Sequence, residues 1–352
     1  MILTILIIFF SLIGLVVLHE LGHFILAKLF GVKVEEFGIF LPPRLIGKKI
    51  GETIYSLNLL PFGAFVKLYG EEGGVEDIRS FSEKPIWQRV LIIVGGVVTF
   101  WIVAIILLSI VMGLGVSVGV SDEENGSLAD PKVQVLAVAP DSPAEIAGIK
   151  VGDTLKQFNK AKEVQEFTEE HKGEEVTLTI ERGKKVFEVS LVPRIDTPED
   201  EGAMGVALAR TVIKSYPWYQ APIKGIEATI TLTGTIVITL AESLGGLVTG
   251  KGLPPGVQLT GPVGIGSLMI QFAELGINYY LHFIAVISIY LAIFNILPIP
   301  ALDGGKLIFL GIEAVKKKPV SPKIEQRITT VFFTLLIVLL IWVTINDVAR
   351  LF

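Results

Sequence analysis

The sequence predicts an α-helical polytopic membrane protein: four transmembrane helices, a small β-hairpin element and one extramembrane α+β domain. Three observations predict it. The chain is 51% hydrophobic and 18% charged, with a mean hydropathy of +0.65, too apolar for an ordinary soluble globule. The apolar residues gather in four runs, Ile2–Phe30, Val90–Val118, about Tyr279–Pro298 and Ile328–Ile345. Each is long enough to cross a bilayer by the roughly 20-residue criterion. Between the second and third runs the composition becomes that of a water-soluble domain. The segments that follow are 1–30, 31–89, 90–118, 119–210, 211–277, 278–304, 305–327 and 328–352.

Charge and cysteine content exclude some classes. The 352 residues carry a net charge of −5 with no basic tail, so nothing points to nucleic acid. There is no Cys. Disulfides are excluded, and any metal must be held by His and carboxylates. The N-terminus leads into apolar sequence without a basic n-region or a clear cleavage site, so the first helix is expected to be retained.

The first run contains V-L-H-E-L-G-H-F, Val17–Phe24. On a helix His19 and His23 sit one turn apart on one face, so both imidazoles can reach one metal ion. Glu20 lies beside them, placed to take a proton from water. An ionisable side chain at the centre of a membrane helix costs about 2.5–3.5 kcal/mol on insertion scales, so its presence points to function. Two of the four His in the chain fall in this pattern.

After the first span, Thr53–Leu59 and Gly63–Tyr69 are β-prone, separated by Leu60-Pro61-Phe62. G-A-F-V-K-L alternates as a strand, and the two stretches are expected to form a membrane-associated hairpin near the active helix. Pro42-Pro43 marks a loop.

In the soluble segment Val133–Val138, Val176–Ile180 and Val186–Val192 alternate as strands, and Glu163–Glu170 reads as a helix. Ser142 and Pro143 start a short helix that Gly148 ends. The stretch S-P-A-E-I-A-G-I-K-V-G-D-T-L, Ser142–Leu155, resembles a PDZ domain of the bacterial protease type. Such domains bind a peptide as an added strand and hold its C-terminal carboxylate on backbone N–H groups. Gly202–Ala207 reads either as the peptide-binding edge of a permuted PDZ fold or as a linker strand.

A catalytic zinc site keeps three protein ligands and an open position. The third ligand must be a carboxylate, His171 or His282. Asp303 stands out, in N-I-L-P-I-P-A-L-D-G at the end of the third span, where Pro298 and Pro300 break the helix. His19 and His23 lie past the middle of the first span and Asp303 just beyond the third. They meet only if these spans run parallel. That requires a single crossing between them, so Ile223–Val248, with Lys224, Glu227 and Glu242, is expected to lie on or dip into the membrane. The positive-inside rule puts the basic segments 31–89 and 305–327 in the cytoplasm, the metal toward that side, and the soluble domain outside.

Together these motifs resemble the site-2 protease family of intramembrane zinc metalloproteases, in its bacterial regulator of sigma-E protease branch. The resemblance covers essentially the whole chain. It implies Zn2+ on His19, His23 and Asp303, Glu20 as general base, and Asn295 as a residue that contacts substrate or positions the reacting groups. It implies that the strand carrying Gly63, Ala64 and Phe65 pairs with an extended substrate. It also implies a cell-membrane location and single-span membrane protein substrates, such as anti-sigma factors or signal-peptide remnants, already cut by an upstream site-1 protease. The PDZ domain would take a peptide or sense the substrate ectodomain. Two departures touch local substrate contacts: the second span opens G-G-V-V-T where the family has G-P-x-x-N, and Gly38–Pro43 lacks the usual G-F-G-P. The competing readings are a zinc transporter, which would need polar residues along the spans, and an inactive PDZ-bearing binding protein, which would not need Glu20.

Overall fold

A computed structural model describes all residues except 1, 72, 74, 124–129, 199–200, 253–256, 258 and 352. Helix α1 (Ile2–Leu29) leads into strands β1 (Val34–Ile50) and β2 (Thr53–Leu68), and then into helix α2 (Ile86–Leu114). The two strands are longer than the sequence suggests and both bend. Ile50 pairs with Thr53 and Gly47 with Ser56, while Phe37 pairs with both Tyr55 and Val66. Four segments therefore lie side by side in the order 44–50, 53–58, 34–39 and 64–68. The two expected strands do not pair with each other across Leu60-Pro61-Phe62: Glu36–Ile39 lies between them. Burial pushes the Glu36 carboxyl up, but the Ser56 hydroxyl and the Arg44 guanidinium outweigh this and hold it below the usual carboxylate range.

The soluble region follows. It contains β3 (Val116–Val120), β4 (Lys132–Val138), α3 (Pro143–Ile146), β5 (Thr154–Leu155), α4 (Ala161–Glu170), β6 (Val176–Arg182), β7 (Lys185–Leu191) and β8 (Val206–Lys214). The six strands form one sheet in the order β3-β8-β4-β5-β6-β7. Val133, Val135, Leu155, Leu178 and Ile180 fill its core. Ser142 caps α3 through the Glu145 N–H at 3.1 Å, and Gly148 follows it with φ +79°. Strand β3 falls in what the sequence assigns to the end of the second span.

Asp153 is fully buried. It accepts from Arg182 Nε and Nη2, each at 2.7 Å, and from the Lys150 N–H at 2.8 Å. Asp153→Ala strands the guanidinium and is expected to cost about 3–5 kcal/mol. Limited proteolysis of the purified protein should then cut within 130–210 at lower temperature.

The chain continues through α5 (Ala221–Val248), α6 (Pro262–Leu275), α7 (Ile277–Ile296), α8 (Asp303–Lys316) and α9 (Pro322–Leu351). Among the described residues five helices, not four, are long and apolar enough to cross a membrane, and α5 is the additional one. It packs against α2 and α7. An added Cβ on Gly225 would lie 2.2 Å from Ser109 Oγ of α2, and Ile236 packs with Ala104, Leu108, Ile289 and Ile293. Its polar residues find partners within the helix. Thr229, Thr233 and Ser243 donate to carbonyls four residues back at 2.6–2.8 Å, and Lys224 pairs with Glu227.

Helix α6 then carries the chain back toward the soluble region, where Gln271 donates to Val151 O at 2.7 Å. Asn278, at the start of α7, donates to Gly115 O at 2.9 Å. Tyr280 meets Ser11 at 2.8 Å. Helices α1 and α7 are thus parallel, as the ligands require. The return through α6 makes this compatible with a long α5.

Candidate metal centre

His19 and His23 project from α1 one turn apart, with their Nε2 atoms 3.2 Å from each other. Asp303 Oδ2 lies 3.3 Å from each of those nitrogens. Atoms bound to one zinc at about 2.0–2.2 Å in tetrahedral geometry are about 3.4 Å apart, so this set fits one ion. The Asp303 Oδ2 atom is buried and has no hydrogen-bond partner. A buried carboxylate oxygen facing two imidazole nitrogens calls for positive charge among them, which a bound metal ion would supply.

The neighbours fix the imidazoles. His23 Nδ1 lies 2.8 Å from Ile92 O. Nδ1–H donates there, which leaves the Nε2 lone pair for a metal. The His19 ring stacks on Phe100, centroids 4.6 Å apart at 14°. Helix α2 comes this close because it carries glycine. A Cβ on Gly96 would lie 2.2 Å from His23 Nε2 and 2.8 Å from His19 Cε1, and one on Gly22 of α1 would meet Gly95 O at 2.5 Å. In sequence, G-G-V-V-T stands out only as a departure from a family pattern. The adjacent glycines in an apolar span were the signal of a close helix crossing.

Asp303 arrives by a tight turn. Helix α7 ends at Ile296 and α8 starts at Asp303 itself, so the aspartate opens a helix. A Cβ on Gly304 would lie 2.1 Å from Leu297 O, and one on Gly305 would lie 2.3 Å from Pro300 Cα. Both glycines are therefore required to fold α8 back against the end of α7.

A cavity of about 70 Å3 adjoins the ligands, lined by Glu20, Val66, Leu68, Glu71 and Lys306 among others. It has room for water. Segment 64–68 pairs on one edge with 34–39, and its other edge has no partner strand among the described residues. Of Gly63, Ala64 and Phe65, the last two lie in this pairing, while Val66 and Leu68 reach the cavity. Asn295 is not among the lining residues; its amide donates to Leu291 O at 2.8 Å. His171 is near the end of α4, bonded to Phe167 O. His282 lines a separate cavity with Gly115 and Asn278 at the far end of α7.

Comparison with known proteins gives the family. Peptidase family M50 matches residues 7–339. The chain is 35% identical over 340 residues to "Putative zinc metalloprotease CPE1693" of Clostridium perfringens, covering 95% of each protein. It is 28% identical over 428 residues to the Regulator of sigma-W protease RasP of Bacillus subtilis, covering 96% of each. It is 29% identical over 427 residues to the Zinc metalloprotease RasP of Geobacillus kaustophilus, again covering 96% of each. With a zinc-sized ligand set on a bundle of apolar helices, the chain belongs to peptidase family M50, the site-2 proteases, and is a membrane zinc metalloprotease.

Proposed function

We propose that His19, His23 and Asp303 hold one zinc ion and that Glu20 moves the protons of peptide hydrolysis. The observation that carries this is the convergence of three ligand atoms within 4.8 Å, beside a cavity that Glu20 also lines. Zinc bound there supplies positive charge that acidifies water and polarises a carbonyl. Glu20 accepts a proton from water as the water oxygen bonds to the scissile carbon. It then returns that proton to the leaving nitrogen as the C–N bond breaks.

The substrate we infer is the transmembrane segment of a single-span membrane protein, already trimmed by a site-1 protease. An intact helix hides its carbonyls in i→i−4 bonds. Opening them in lipid is unfavourable, and pairing with the unpartnered edge of 64–68 offsets the loss. The sheet domain is inferred to be a single PDZ module outside the cell membrane that receives a peptide or excludes an untrimmed ectodomain. The basic segments 31–89 and 305–327 support a metal facing the cytoplasm. Anti-sigma factors and signal-peptide remnants are the substrate classes that a sigma-regulating protease of this type would cut.

The test is metal removal. Purified protein in detergent should cleave a tagged single-span substrate, stop after dialysis against a chelator, and recover when one zinc per chain is restored. Cleavage that survives full removal of metal overturns the proposal.

A further inference from the structure

The cavity beside the metal ligands is acidic. Glu20, Glu71 and Asp303 line it, and Lys306 and His23 carry the only side-chain N–H groups among its described lining residues. His23 already uses Nδ1 on Ile92 O. Lys306 lies one helical turn beyond Asp303 on α8, so the two side chains share a face. Its ammonium pairs with Glu71, just beyond β2, and 47% of its side chain is exposed. It faces the cavity. It also lines a second cavity of about 410 Å3 that reaches Pro322 and Glu325. Lys306 therefore stands where the small reaction cavity meets the larger one.

Peptide hydrolysis places negative charge on the scissile carbonyl oxygen, and a fixed donor aimed at that oxygen is worth more in a water-poor site than in bulk water. Asn295, the amide that family resemblance offers near the reacting groups, is turned back onto Leu291 O. We propose that Lys306 supplies this donor: its ammonium, steadied by Glu71, stabilises the developing charge on the carbonyl oxygen. A substrate strand along the free edge of 64–68 would pass Glu71 and bring its backbone to Lys306. The inference rests on the protease reading and adds a residue to it.

The test uses the full chain in detergent with a tagged single-span substrate at several concentrations, and zinc content measured by mass spectrometry. Lys306→Met should keep one zinc per chain and a near-normal KM while kcat falls by about 10²–10³-fold, the usual cost of one such donor. Lys306→Arg, which keeps the charge, should recover most of the loss. Glu71→Gln should cost clearly less than Lys306→Met, because the ammonium stays. Three results would each overturn the inference. One is a normal rate for Lys306→Met. Another is loss of zinc in that variant. The third is an equal deficit in Glu71→Gln, which would make the pair a brace between α8 and the sheet. If Lys306→Met elutes as aggregate, Lys306→Gln decides on the same criteria. Glu20→Gln is the reference. If it cleaves normally the proton-transfer reading fails; if it is silent while Lys306→Met cleaves normally, only the role of Lys306 fails.

Discussion

Glu20→Gln is expected to retain one zinc per chain and lose cleavage, whereas Asp303→Ala is expected to lose both. The contrast follows from which atoms converge. His19, His23 and Asp303 bring one ligand atom each to a common point, and Glu20 is not part of that set. Its amide analogue has nearly the same shape but no carboxylate to take a proton. General acid–base transfer contributes about 10²–10⁴-fold, so cleavage should fall to the background of the assay. Asp303 supplies the only negative charge among the three ligands. Its removal leaves two neutral imidazoles, one short of the three protein ligands that a catalytic zinc site keeps. Zinc content by mass spectrometry and cleavage on a gel separate the two variants. A Glu20→Gln protein that elutes without zinc would make Glu20 a ligand and remove it as the base.

Half of this site could be read from local spacing. H-E-x-x-H needs only the helical period to bring two imidazoles together, and α1 has that period. Asp303 required a longer argument, from the proline break after α7 and the shortage of other ligands, yet it meets the histidines at 3.3 Å. The strands and caps of 130–192 were equally legible, because alternation and the Ser142-Pro143 start are local signals.

What escaped the sequence depends on distant partners. Strand β1 was hidden because Gly38–Pro43 reads as a loop, and only pairing with both 53–58 and 64–68 makes the preceding residues strand. Helix α5 reads as a doubtful span in sequence because threonine and glutamate count as polar in composition. In place, the threonines bond back to their own helix, and a glycine lets it press on α2. Ligands at those depths require α1 and α7 to be parallel, and they are. A return helix of 14 residues, α6, also restores the direction, so a long α5 is compatible with it.

Gly96→Ala, a change of one methyl group on a helix that bears no ligand, is expected to weaken zinc binding by more than tenfold. An added Cβ at this position would sit 2.2 Å from His23 Nε2, 2.4 Å from His23 Cε1 and 2.8 Å from His19 Cε1. Real contacts of that kind are over 3 Å, so one partner must move. The imidazoles cannot easily yield. His23 is held by Ile92 O and His19 by the Phe100 ring, both on α2 itself, so pushing α2 away also pulls on what orients the rings. Overpacking of this kind costs about 1–3 kcal/mol, and each 1.4 kcal/mol charged to the metal-bound geometry is about a tenfold loss in affinity. Helix propensity works the other way, since alanine stabilises a helix interior over glycine by about 1 kcal/mol. The fold should therefore survive while the metal leaves. Gly14→Ala is the control, because a Cβ there meets nothing within 4 Å. It should leave zinc affinity and cleavage unchanged, while Gly96→Ala needs added zinc to cleave at all. Equal zinc affinity in the two variants would mean that α2 has room to retreat, and that its glycines serve packing alone.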